Sequence, residues 1–209
     1  MIEFLAQGIG TTVQVTFGAF VIAALLGAIV AGIRRCPFAF LRWLGGAYVA
    51  LVRGVPPVAW LFLVFFGLQD HLPLEPVPAA IIALGIAGSG YMAEIYRAAL
   101  EAVPAGQVDA ADALAMSRWD KYRLVMIPST AGLLAASTAS YVIALLKDSA
   151  LASLIGVMEL TGRADVYRRY YNEPILAFAV IAVFYVGLSV AVAVPARHLE
   201  RRILRRRAA

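Results

Sequence analysis

The chain has 209 residues, 62% of them hydrophobic, and a mean hydropathy of +0.82, whereas a soluble domain is about 45–50% apolar. A globule of this size has no core large enough to hide the excess, which excludes an Ala-rich soluble helical domain. The net charge of +5 and pI near 9.6 would suit a nucleic-acid binder. The charges, however, cluster between apolar runs and at the C-terminus, so the expected partner is a lipid membrane and no nucleic acid.

A membrane-crossing helix needs about 20 apolar residues. Residues 4–33 carry no charge, and the first span is placed at 8–33. The N-terminus lacks the basic region of a signal peptide, so this run is expected to be retained as a helix. Arg34, Arg35 and Arg42 follow, then a second span at 47–68 with Arg53 near its start. A Pro-rich turn leads to a third span at 78–100, which carries Glu94 and Arg97 toward its end. A polar stretch at 101–128 precedes a fourth span at 130–155, interrupted by Lys147 and Asp148. A second polar loop, Met158 to Glu173, leads to a clean fifth span at 174–196, and the tail after it is arginine-rich.

The expected fold class is therefore all-α: one integral membrane domain, 1–209, with five transmembrane helices. With the C-terminus inside, the inner segments and helix ends hold 14 of the 18 basic residues. The positive-inside rule then places the N-terminus outside and the C-terminus in the cytoplasm. The outer loops hold Arg163, Arg168 and Arg169, diluted by Glu159, Asp165 and Glu173. The tail arginines, including Arg205, Arg206 and Arg207, read as a stop-transfer and headgroup anchor.

The stretch 101–128 is built unlike a linker. Pro104 and Gly106 punctuate a turn, and Val108 to Met116 is rich in alanine, the best helix former. Ser117 with Asp120 reads as a helix start. Trp119, Tyr122 and Met126 share one apolar face, with Arg118 and Lys121 off it, as in a helix at a membrane surface that Pro128 closes. Two short helices with a small-residue turn are expected. Small side chains at Ala110, Ala111 and Ala115 would let a backbone approach another protein closely.

These residues carry a resemblance. Asp109-Ala110-Ala111, three residues, Ala115, and later Val125-Met126-Ile127-Pro128 resemble the EAA signature of the membrane subunits of ABC importers, in which a cytoplasmic coupling helix docks on the ATPase. Asp109 stands for the usual Glu, and Ala115 for the usual Gly, which alone adopts φ > 0 freely. Arg53-Gly-Val-Pro56 with Trp60 to Gly67, Gly90 to Arg97, and Leu146 to Gly156 resemble, in family order, the motifs of the polar amino-acid branch, the histidine/glutamine-permease-like type I importers.

The resemblance implies a permease subunit that forms half of a translocation path for a polar or charged amino acid. It assigns ATPase coupling to Asp109, Ala110, Ala111, Ala115 and Ser117. It also implies two ATPase subunits carrying ATP and Mg, a second permease subunit, identical or paralogous, and an extracytoplasmic solute-binding protein in a bacterial inner membrane. No cofactor or metal is expected in this chain: His71 and His198 lack ligand spacing, and there is no phosphate-binding loop or nucleophile motif, so it is not itself an enzyme.

Intramembrane charges usually face protein, water or a substrate path. Lys147, Asp148 and Ser149 line the pathway, or Lys147 and Asp148 form a structural pair. As helix neighbours they point about 100° apart, so both cannot face one spot. Arg53 lines the pathway beside the Gly-Val-Pro-Pro break, or snorkels to the interface. Glu94 and Arg97, at i and i+3, serve the pathway or, by the pairing argument, brace the helices. The loop arginines with Tyr167, Tyr170 and Tyr171 form an interfacial anchor or touch the binding protein. The alternative classes are an ion-coupled secondary transporter or small channel, with Lys147, Asp148 and Glu94 as coupling groups, and a non-transporting scaffold.

Overall fold

In the computed structural model the backbone is described for residues 1–208 and the side chains through Ile203; the side chains of Arg205, Arg206 and Arg207, assigned above to the anchor, lie outside the described residues. The described residues fold almost entirely as helices. These are α1 (Ile2–Ala6), α2 (Gly8–Ile33), α3 (Ala39–Gly54), α4 (Pro57–Phe65), α5 (Pro76–Glu101), α6 (Ala105–Ala113), α7 (Arg118–Asp120), α8 (Ile127–Asp148), α9 (Leu160–Tyr171) and α10 (Pro174–Ala208). A π-helical turn, Lys121–Met126, joins α7 to α8, and a 3₁₀ stretch, Ser149–Ile155, follows α8.

Among the described residues, four helical stretches are long and apolar enough to cross a membrane: Ile2–Ile33, Pro76–Glu101, Arg118–Ile155 and Pro174–Ile203. The pair α3 and α4 makes a fifth if it counts as one span, but it is bent by 95°. The second span expected at 47–68 is thus a broken one. The cause is Pro56-Pro57, which supply no N–H to the carbonyls of Val52 and Arg53 four residues earlier. The indole Nε1 of Trp60 donates to the Val52 carbonyl at 3.3 Å, so one carbonyl freed by the break is satisfied from α4.

Two further elements differ from expectation. Pro128 does not close the helix before it: the chain runs on from α7 through the π turn into α8. The π turn widens the backbone ahead of a ring that would otherwise clash with the carbonyl four residues back. The loop 158–173 contains a twelve-residue helix, α9, whose Leu160 and Ala164 are wholly buried against Leu5, Ala177 and Ile181.

The core lies where α5 packs on α2, with α4 and α8 closing round it: Val15, Ala19, Leu61, Ala83, Leu84, Leu145 and Ile155 are buried together. Lipid tails are as apolar as leucine, so helix association in a bilayer relies on close approach of small residues. The buried face of α5 is accordingly built mostly of small residues, among them Ala79, Ala80, Ala83, Gly85, Ala87, Gly88 and Ser89, with Leu84 and Met92 the large ones. A methyl group at Gly27 would come within 2.6 Å of the Met92 Cβ, and one at Gly85 within 2.6 Å of the Ile22 Cβ. By contrast α10 exposes Ile175, Val183, Val186 and Val190, a long apolar surface left for lipid or another protein.

Candidate functional site

The first group of predicted site residues lies on the loop between α5 and α8. Helix α6 has an inner face, with Ala111 only 2% exposed and Val108 part-buried, and an outer face carrying Asp109, Ala110, Asp112 and Ala113. The small size of Ala111 therefore serves packing within the chain, while Asp109 and Ala110 are presented outward.

The helix ends in a Schellman motif: the Met116 amide donates to the Ala111 carbonyl at 3.1 Å and the Ala115 amide to Asp112 at 2.9 Å. Ala115 sits at φ 51°, so the left-handed turn forms although glycine is absent. An L-residue pays roughly 1–2 kcal/mol for that conformation. Ala115→Gly should raise the stability of the chain by about 0.5–1 kcal/mol, since glycine loses some of the gain to its freer unfolded state. The midpoint of thermal unfolding in detergent should rise; a fall would contradict the strained turn.

Ser117 then caps α7. Its Oγ accepts from the Asp120 amide at 3.1 Å and donates to Asp120 Oδ2 at 2.6 Å. Lys121 pairs with Asp112 across the turn, and Ser129 Oγ donates to Gln107 Oε1 at 2.5 Å. The cap fixes α7, the ion pair ties α6 to the π turn and the hydrogen bond ties α6 to α8, so the loop is a braced body. Leu114 at 76% and Trp119 at 70% exposure project from it. The expected common face of Trp119, Tyr122 and Met126 is thereby split, for Met126 is 6% exposed.

The second group is divided by the fold. Lys147 and Asp148 form no ion pair among the described residues. Lys147 is exposed and lines a cavity of about 320 Å³ with Tyr185, Ser189 and Arg197 of α10. Asp148 stands seven residues after Tyr141 on α8, two turns along the same helix face. Tyr141 stacks on Tyr91 with centroids 6.0 Å apart, and the Arg53 guanidinium lies 5.1 Å from the Tyr91 ring centre. Arg53, Tyr91, Tyr141 and Asp148 thus form a row from the α3–α4 break across α5 to α8. Gly88 makes room for it: a Cβ there would meet the Tyr141 hydroxyl at 1.8 Å.

Ser149 is wholly buried and donates to the Leu146 carbonyl at 2.7 Å. Glu94 joins Arg34, which caps the end of α2, to Arg97, at 2.7 Å from the latter, and Arg97 reaches Glu101 at 2.5 Å. Glu94 and Arg97 are therefore parts of a brace between α2 and α5.

Sequence reasoning missed Glu159, counted above as a loop charge. It is 0% exposed. Its Oε1 accepts from the Gly162 amide at 2.7 Å and its Oε2 from the Tyr185 hydroxyl at 2.8 Å, while Thr12 Oγ1 accepts from the Leu160 amide at 3.1 Å. The carboxylate caps α9 and ties it to α2 and α10. The signal was local: a carboxylate three residues before a glycine amide at the head of a segment with apolar residues four apart.

Burial pushes the Glu159 carboxyl above its ordinary value of 4.5, against the hydrogen bonds from Thr161, Tyr185, Gly162 and Thr12 that pull it down. A raised folded-state value means that the folded chain holds more protons than the unfolded one. This stabilisation is complete below about pH 4.5 and is lost as pH rises through the folded value. Against Glu159→Gln, the wild-type melting point should therefore fall with rising pH above 4.5; a pH-independent difference between the two would contradict the assignment.

The loop arginines are also engaged. Arg163 donates to Gln7 Oε1 at 2.8 Å and to the Phe4 carbonyl at 3.2 Å. Arg168 and Arg169 both pair with Asp165, at 2.5 and 2.8 Å. Against the raising effect of desolvation, these two guanidinium groups hold the Asp165 carboxyl below its usual range.

Comparison with known proteins gives this geometry its context. The chain is 33% identical over 184 residues to a probable amino-acid permease, YxeN of Bacillus subtilis (strain 168), covering 85% of this chain and 82% of that one. It is 28% identical over 191 residues to HisQ of Escherichia coli (strain K12), a histidine/lysine/arginine/ornithine transport system permease, with 86% and 84% covered. The fold superposes on the crystal structure of "an amino acid ABC transporter with histidines" with a TM-score of 0.89 and 29% identity, over 96% of this chain and 94% of that one. Residues 4–205 match the family described as the binding-protein-dependent transport system inner membrane component. With that match the ion-coupled secondary transporter or small channel falls. The chain belongs to the family of inner-membrane components of binding-protein-dependent transport systems, a multi-pass membrane permease subunit.

Proposed function

We propose that this permease forms half of an ATP-driven import path for a polar or charged amino acid, and that α6 is its coupling helix to an ATPase subunit. The observation that carries the proposal is the braced loop 105–129, which turns Asp109, Ala110 and Leu114 outward on a rigid support. A braced helix transmits a displacement, whereas a floppy linker absorbs it. Its relatives, an amino-acid permease and a histidine/lysine/arginine/ornithine permease, support the substrate class.

The full assembly in this reading has two copies of an ATPase subunit, which carry ATP and Mg, and a solute-binding protein on the outer side. A second permease subunit, identical or paralogous, faces Lys147 and the apolar surface of α10. An exposed ammonium within a membrane span costs at least ~2.5–3.5 kcal/mol unless protein or water meets it, which supports a partner there. The α3–α4 pair counts as one of five crossings, with the N-terminus outside and the C-terminus and α6 in the cytoplasm, following the basic residues. The row Arg53, Tyr91, Tyr141 and Asp148 lines the path beside the broken helix, a place where unwound backbone serves a cavity. Glu94, Arg97 and the buried Ser149 hold the frame around it.

Reconstitution of the permease with its ATPase and binding protein in liposomes tests the reading. Amino-acid-loaded binding protein should stimulate ATP hydrolysis together with uptake. Hydrolysis that ignores every loaded amino acid would overturn the substrate class, and uptake without the ATPase would overturn the coupling.

A further inference from the structure

A cleft of about 790 Å³ lies apart from the row just described. It opens where α2 and α5 end and α8 begins, beside the braced loop. Its inner walls are apolar, including Ala28 of α2 and Leu134 of α8, and its mouth carries Arg35, Arg118, Lys121 and Tyr122. No carboxylate lines it. Lys121 is held by Asp112, but among the described residues neither Arg35 nor Arg118 has an ion-pair partner. Arg35 is instead held 5.8 Å from the Tyr122 ring centre, which fixes a free guanidinium over the opening.

The placement of these groups is what gives the cleft its chemistry. Arg35 stands just after the apolar run of α2, and Arg118 opens the stretch Arg118–Ile155 that is apolar enough to cross the membrane. The cations therefore lie where hydrocarbon gives way to water, and the apolar walls lie on the hydrocarbon side. Guanidinium groups bind phosphate oxygens in bidentate fashion, and a basic pocket between transmembrane helices suits an anionic headgroup. A soluble anion would use the mouth and leave the apolar walls wet. An amino-acid substrate would bring an ammonium among the cations of the mouth, with no carboxylate in the lining to pair with it.

We propose that this cleft is a binding site for an anionic phospholipid, whose phosphate sits on Arg35 and Arg118 and whose acyl chain runs along Ala28 and Leu134. The inference needs the chain to lie in a membrane; it does not depend on α6 being the coupling helix. Since Val108 of α6 also lines the cleft, a bound lipid touches the braced loop.

The test is native mass spectrometry of the intact complex released from nanodiscs of mixed phosphatidylglycerol and phosphatidylcholine. Wild type should retain phosphatidylglycerol in preference. Arg35→Gln or Arg118→Gln should each weaken retention about five-fold, and the pair about thirty-fold. Ala28→Trp, which fills an exposed position on the apolar wall, should also release the lipid while leaving both arginines in place. Retention unchanged in Arg35→Gln and Arg118→Gln would overturn the proposal. So would equal retention of phosphatidylcholine. Displacement of the lipid by inorganic phosphate, with no effect of Ala28→Trp, would assign the mouth to a soluble anion instead. A complex that carries no lipid because the ATPase covers the arginines would overturn it as well.

Discussion

Ala110→Trp is expected to cut amino-acid-stimulated ATP hydrolysis and uptake at least about 30-fold, because a bulky ring on the outer face of α6 removes 2 kcal/mol or more of a central interface contact. Asp109→Lys, which reverses the charge beside it, should act in the same direction. The permease itself should be unharmed. Ala110 is exposed in the chain, so the ring meets nothing until a partner arrives. Ala111→Trp makes the sharper comparison. Ala111 is 2% exposed, and overpacking its site should destabilise the permease alone by about 1–3 kcal/mol. Leu25→Trp, on the 63%-exposed outer face of α2, should change neither. Melting of the isolated permease and pull-down of the ATPase separate the cases. An Ala110→Trp complex that keeps its ATPase and full stimulation would contradict the docking face.

The second large effect is expected at Glu94. Removing it by Glu94→Ala leaves Arg34 and Arg97 facing each other across α2 and α5 with no carboxylate between them. Breaking a wholly buried pair costs 3–5 kcal/mol. Here the side chains are 21% and 22% exposed for Glu94 and Arg34 and 36% for Arg97, so a smaller loss of about 2–3 kcal/mol follows. The double replacement Arg34→Met with Glu94→Leu should recover most of it, since no charge is then stranded on α2. Thermal unfolding of the three proteins in one detergent decides the point. If the double variant is no more stable than Glu94→Ala, the brace is not held by charge. A pathway role would show differently, as lost uptake with unchanged melting.

Much of this architecture was legible because hydrocarbon is a strict solvent. Long, mostly apolar runs were expected as helices, and α2, α5, α8 and α10 lie along those runs. The loop was legible for a different reason: capping chemistry is local, so Ser117 and Asp120 announced α7 by themselves. What was not legible depends on contacts across the chain. Proline foretold a break after Arg53, but the 95° bend is set by what α4 packs against. Ala115 would not be predicted at positive φ, because the energy that holds it there comes from two Schellman hydrogen bonds and the Asp112–Lys121 pair. Helix α9 is polar and rich in Tyr and Arg, and becomes a helix because Glu159 caps it and Leu160 finds Leu5. The row from Arg53 to Asp148 draws on three separate helices, and only the close approach allowed by Gly88 assembles it.

Thiol labelling in membrane vesicles tests the coupling loop most directly, because Cys36 is the chain's single cysteine and is easily removed. In a Cys36→Ser background, Ala113→Cys on the outer face of α6 should react with a membrane-impermeant maleimide in inside-out vesicles and not in right-side-out ones. Co-expression of the ATPase subunit should protect it. Labelling from the outer side, or labelling from the inner side that the ATPase leaves unchanged, would contradict a cytoplasmic helix gripped by its motor.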